Sequence, residues 1–151
     1  FTWVAWIKTQ RSGTIVARAG RAEVWDEGGK VLFLADGRLV FDAGWVGAVE
    51  SSRIRLNDGQ WHHVAVTVHR EEGMSEVTLF ADGHRVGKGP LQVGRFPESN
   101  LPLKIGHCNK DFPPRQPGFV GRIREVGWYG YRLTGPMITD LSRRPPGKTG
   151  G

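Results

Sequence analysis

Cysteine is almost missing from this chain: Cys108 stands alone in 151 residues. One thiol excludes an internal disulfide, so packing must hold the fold, and the count leaves the compartment open. Amphipathic helical patterning is nearly absent too. No apolar run approaches the roughly 18 residues needed to span a bilayer, and no basic-then-apolar leader stands at the start. Phe1 already lies inside an apolar strand pattern, so the chain reads as opening at a domain edge, with any targeting segment upstream. A phosphate-binding loop is lacking, because each glycine cluster falls in a hairpin and not between a strand and a helix. Local spacing builds no Ser-His-Asp or Cys-His pair, and Cys108 reads as a small apolar residue near a strand end.

What is present fits one all-β domain. Its length suffices for a two-layer core, and 22 glycines with nine prolines suit short strands joined by many turns. The formal charge of +6 favours acidic partners such as sulfated or uronic polysaccharide. Spread along the whole chain, it is first of all a solvated basic surface, and nucleic acid is not among the expected partners.

The strongest pattern runs from 56 to 89, LNDGQWHHVAVTVHREEGMSEVTLFADGHRVGKG. Val64, Val66 and Val68 alternate with Ala65 and Thr67, and Val77, Leu79 and Ala81 repeat the device on a return strand. Asp82-Gly83 then supplies a tight turn before a third strand near Arg85, and Asp36-Gly37 divides a second hairpin over 31–44. Residues 1–8 and 14–20 read as strands, 45–52 as an irregular rim and 53–56 as a strand with Ile54 and Leu56 inward. The segments 89–102 and 107–118 read as long surface loops, with a short strand at 103–106 between them. In 119–133 the apolar parity changes, so a bulge near Arg124-Glu125 is expected to bring Phe119, Ile123, Val126 and Trp128 to one face. One helical turn or a capping segment is expected from Thr134 to Leu141. The domain is placed at 1–142, with 143–151 as a linker or disordered tail.

LNDGQWHHVAVTV followed by TLFADG resembles the central motif of laminin G-like, concanavalin A-like jelly-roll domains. FTWVAWIK, LKIG and FVGRIREVGWYGYRLT resemble the opening, penultimate and closing strands of the same family, so the resemblance covers about positions 1–134. It implies a two-sheet antiparallel jelly-roll sandwich of roughly five to seven strands a sheet. It also implies a non-catalytic recognition or adhesion module of a larger secreted or cell-surface protein, which binds glycans or protein surfaces. Calcium at the rim is implied as well. The chain departs from the family where relatives place two adjacent acids and Arg124 and Glu125 stand instead.

Several residues carry the chemistry such a module needs. Trp25 and Trp45 fall in irregular segments and are the candidate stacking platforms, whereas Trp3, Trp6, Trp61 and Trp128 lie in strand patterns and are assigned to the core. Arg53 and Arg55, like Arg122 and Arg124, occupy alternate positions, and would form a basic stripe for an acidic glycan if their strands lie close. Asn109 and Asp111 are the first candidate calcium ligands, Asp26 and Glu27 the second. His62 and His63 point to opposite faces and read as structural. A glycan-cleaving domain and a structural spacer stay open as alternatives, although Glu23 and Asp26, the densest acidic pair, face opposite ways along a strand.

Overall fold

The computed structural model describes residues 1–20, 25, 27–52, 54–92, 101–109, 118–144 and 146–147. Ten strands are formed: β1 (Thr2–Thr9), β2 (Gly13–Arg18), β3 (Lys30–Ala35), β4 (Arg38–Ala43), β5 (Gly47–Glu50), β6 (Trp61–Glu71), β7 (Met74–Ala81), β8 (His84–Leu91), β9 (Leu103–Ile105) and β10 (Gly121–Tyr129). One helix, α1 (Gly135–Ser142), follows. The strands pair antiparallel into two five-stranded sheets, ordered β10-β1-β6-β7-β8 and β5-β4-β3-β2-β9. This is the expected jelly-roll sandwich.

Alternation along the strands builds the core. Val64, Val66, Val68, Val77 and Leu79 from one sheet meet Leu32, Leu34, Leu39 and Phe41 from the other, all buried. The outward face of each sheet is covered in part too. Ala17, Val31, Phe33 and Val40 pack under Trp25 and Cys108 on one side, and Val4, Ala65 and Phe80 pack under Leu133 and Ile138 of the α1 region on the other. Both Asp-Gly turns form as expected, with positive φ at Asp36, Gly37, Asp82 and Gly83, the backbone of a two-residue hairpin loop. The expected bulge is present as well. Val4 pairs with Gly127 but Trp6 with Arg124, so Glu125 and Val126 oppose Ala5 alone, and Glu125 takes a φ of +50°.

Other expectations are corrected. Residues 54–56 join no ladder, although Leu56 is buried: its amide reaches Gly37 and that of Ser52 reaches Val86, so this segment crosses the end of the sandwich. Arg53 lies outside the described residues. The supposed rim at 45–52 contains β5, too short and too poor in large side chains to show alternation. The loop expected from 89 begins later, because β8 runs to Leu91 through Pro90; proline is tolerated there since β8 is an edge strand. Trp61 is half-buried, not core, and Trp128 keeps 36% of its surface exposed while its ring contacts Phe1 and Trp3. Near the chain's end Gly147 donates to Glu125 and accepts from Arg124, both at 2.8 Å.

Candidate functional site

One end of the sandwich gathers positive charge. Lys8 of β1 pairs directly with Arg122 of β10, which sets two like charges side by side on one face of the sheet; directly opposed like charges cost stability unless something neutralises them. Arg11 enters from the β1–β2 turn. Its amide donates to Thr9 Oγ1 at 3.0 Å, and that hydroxyl donates to Val120 O at 2.6 Å, which ties the turn to the start of β10. Gly121 makes the close approach possible, because a Cβ there would collide with the Lys8 carbonyl. Lys8, Arg11 and Arg122 thereby line one hollow of about 560 Å³ with Thr9, Gln10 and Gly59. Among the described residues no carboxylate lies within ion-pair distance of these three cations.

A second hollow, of about 440 Å³, opens beside it. Arg55, Asn57, Asp58 and Asp36 line it, and Gln10 belongs to both. So Arg55 and Arg122 do reach a common region, though across the end of the sandwich and not as a stripe on a sheet face. Arg124 takes another role: its guanidinium lies 5.4 Å from the centre of the Trp61 ring and donates to Gly147 O.

Below the hollows His62 sits between two carboxylates, with Nδ1 2.8 Å from Asp82 Oδ2 and Nε2 3.0 Å from Asp58 Oδ1. A carboxylate accepts and does not donate, so holding both contacts requires the imidazolium. The hydrogen bond to Asp82, seconded by Asp58, raises the His62 pKa against the opposing effect of burial. Burial pulls Asp82 the other way, yet His62 and the His63 amide hold its pKa down. His63, on the opposite face as expected, is buried against Trp6, and burial lowers its pKa to about 4. Both histidines are structural.

The tryptophan platforms separate. Trp25 is 8% exposed and packs on Ala17, Val31, Phe33 and Val40, so its ring is a lid on the outer core and offers no face to a ligand. Trp45 is 77% exposed. It stands just past the end of β4 opposite Arg38, the residue that shares a hollow with Arg55, so roughly 17 Å of strand divides it from the basic end. Of the expected calcium pair, Asn109 is buried, and its Oδ1 accepts from the Lys104 ammonium at 3.0 Å. Glu27 is exposed, whereas Asp111, Glu23 and Asp26 lie outside the described residues. Cys108 is buried, as its apolar reading required. Sequence reasoning missed Lys8, Gln10 and Arg11. The signal for Lys8 was parity, since it shares a face with Val4 and Trp6 yet stands at the strand's polar end.

Comparison with known proteins agrees with this architecture. The family model described as the Concanavalin A-like lectin/glucanases superfamily matches residues 1–139. No curated protein sequence matches the chain. Among solved structures, a candidate carbohydrate binding protein from Bacteroides ovatus ATCC 8483 superposes with a TM-score of 0.66 at 19% identity, over 91% of this chain and 39% of that one. Domains LG4-5 of the mouse laminin alpha1 chain give 0.56 at 18% identity, over 83% and 34%. The CBM40 of Ruminococcus gnavus IT-sialidase gives 0.63 at 13% identity, over 93% and 81%, and structures of that module bound to sialyllactose are also similar. The chain thus spans well under half of the first two proteins. At these identities the likeness concerns the fold.

Proposed function

Since the chain belongs to the concanavalin A-like lectin/glucanases superfamily, we propose that it is a non-catalytic recognition module of a larger extracellular protein, and that it binds an acidic glycan at the basic end of the sandwich. The observation that carries this reading is the convergence of Lys8, Arg11 and Arg122 on one hollow where, among the described residues, no carboxylate lies within ion-pair distance of them. An anionic sugar group would relieve the repulsion between Lys8 and Arg122, while Gln10 and Asn57 offer directional partners to hydroxyls. Arg55, across Gln10, extends the site toward a second sugar. The names of the similar structures, which include carbohydrate-binding modules and a sialyllactose complex, support glycans over other anions.

Catalysis has no support in the geometry of this end. Asp58 and Asp82 bracket His62 and are engaged there, and their lowered pKa values suit neither for the role of a general acid. Calcium at Asn109 is not part of the reading, because the Lys104 ammonium already occupies that oxygen. An array of sulfated and carboxylated glycans tests the proposal. Binding should weaken steeply with added sodium chloride and should be lost in the double variant Lys8→Ala/Arg122→Ala. Binding that ignores both salt and the double variant would refute it.

A further inference from the structure

A different set of features lies on the outward face of the second sheet, toward the opposite end. Leu39, Phe41 and Ala43 of β4 point into the core, so Arg38, Val40 and Asp42 point outward. Asp42 stands between Val31 on β3 and Ala48 on β5, and Val40 stands beside Glu50. Asp42 is half-buried among these apolar neighbours, and no described residue donates a hydrogen bond to its carboxylate. Burial raises its pKa to about 6. A carboxylate withdrawn from water with nothing donating to it is costly for a fold to keep.

Three residues further on is Trp45. The turn is closed by the Val46 amide on Ala43 O at 3.0 Å and braced by the Gly44 amide on Gly29 O at 2.8 Å. Trp45 takes a φ of +61° within it. That conformation suits glycine and strains a bulky L-residue. A large ring is therefore held outward by a braced, strained turn, at 77% exposure. Strain of this kind persists where the surroundings enforce it, and it collects at binding sites.

We propose that the outward strip of β4 and β5, from Trp45 through Asp42, is a second binding site that takes a neutral saccharide, its ring stacked on Trp45 and its hydroxyls donating to Asp42. The two features supply complementary halves of sugar recognition, an aromatic face for C–H groups and an acceptor for hydroxyls. Charge selects the class of sugar. Among the described residues the strip carries the carboxylates of Asp42 and Glu50 against one cation, Arg38, which already pairs with Glu50 at 3.1 Å. An acidic sugar would meet repulsion here and attraction at the other end. This site stands independently of the basic hollow.

The test uses the whole chain and an array of neutral galactose-, glucose- and mannose-containing oligosaccharides, followed by tryptophan-fluorescence titration with the best binder. Binding should persist in high salt. It should fall about tenfold, equal to about 1.4 kcal/mol, in Trp45→Ala and again in Asp42→Asn, while Trp45→Phe recovers most of it. Trp45→Gly, which relieves the strained backbone, serves as a folded control: it should melt no lower than the parent and still fail to bind. Lys8→Ala/Arg122→Ala should bind the neutral sugar normally. The proposal is overturned if no neutral oligosaccharide binds, or if one binds with equal affinity to the parent, Trp45→Ala and Asp42→Asn. Either result leaves the acidic-glycan reading untouched.

Discussion

Two adjacent histidines give this protein opposed responses to pH. His62 has a raised folded pKa, so what it adds to stability is fully present below the ordinary histidine value of about 6.5 and is lost as pH rises through the folded value. His63 is buried neutral with a pKa of about 4; its contribution is present above about 6.5 and declines as pH falls toward 4. Denaturation of His62→Ala should show a loss of about 1–2 kcal/mol at pH 6, allowing for the exposure of Asp58, and a much smaller loss at pH 9. Equal losses at both would mean that the imidazolium bracket does not form in solution. Asp42 belongs to this scale as well. Its folded pKa of about 6 lies above the unfolded value, so the parent should lose stability as pH rises from about 4 to about 6. Asp42→Asn should not lose it and should melt higher at pH 7. A variant that melts lower would show that Asp42 has a donor in solution.

At the scale of elements, the outer layer of the first sheet depends on a short helix. Pro136 fits the first turn of α1, where its missing amide is no loss. Ile138 is fully buried against Val4, Ala65 and Phe80, and Thr139 Oγ1 donates to Gly83 O at 2.9 Å, which ties the helix to the β7–β8 turn. Ile138→Ala should cost about 2–4 kcal/mol in chemical denaturation, with the loss of hydrogen-exchange protection centred on Phe80 and Leu133. Trp61→Ala should cost less, about 1–2 kcal/mol, because its ring is half-buried on the sheet's outward face. The parity of Val64, Val66 and Val68 already placed Trp61 on that face. An aromatic residue at the head of an apolar strand invited the core assignment, and the alternation rule, followed strictly, would have refused it.

For the molecule as a whole, the two ends differ in character. One presents cations around a hollow, and the other presents a single exposed indole near carboxylates. A chelator should change neither the melting temperature nor any glycan affinity, because the only described member of the expected calcium pair holds an ammonium; a chelator-induced fall in melting temperature would place a metal elsewhere. Among the described residues no helix is long and apolar enough to cross a membrane.

The sequence by itself determined the strands of the central hairpins, their Asp-Gly turns, the bulge at Glu125 and hence the sandwich, because alternation and turn chemistry are local properties that each strand carries alone. It also singled out Trp45, Arg55 and Arg122. Only the tertiary structure decided where these residues stand and what surrounds them. Lys8 meets Arg122 across 114 positions of sequence through the β1–β10 ladder, and Arg55 reaches them through a segment that crosses the sandwich end without pairing. Trp25 and Trp45 look alike in sequence, each in an irregular stretch near carboxylates. One became a lid and the other stayed exposed because burial depends on which sheet face a loop folds back over, and that is set by contacts distant in the chain.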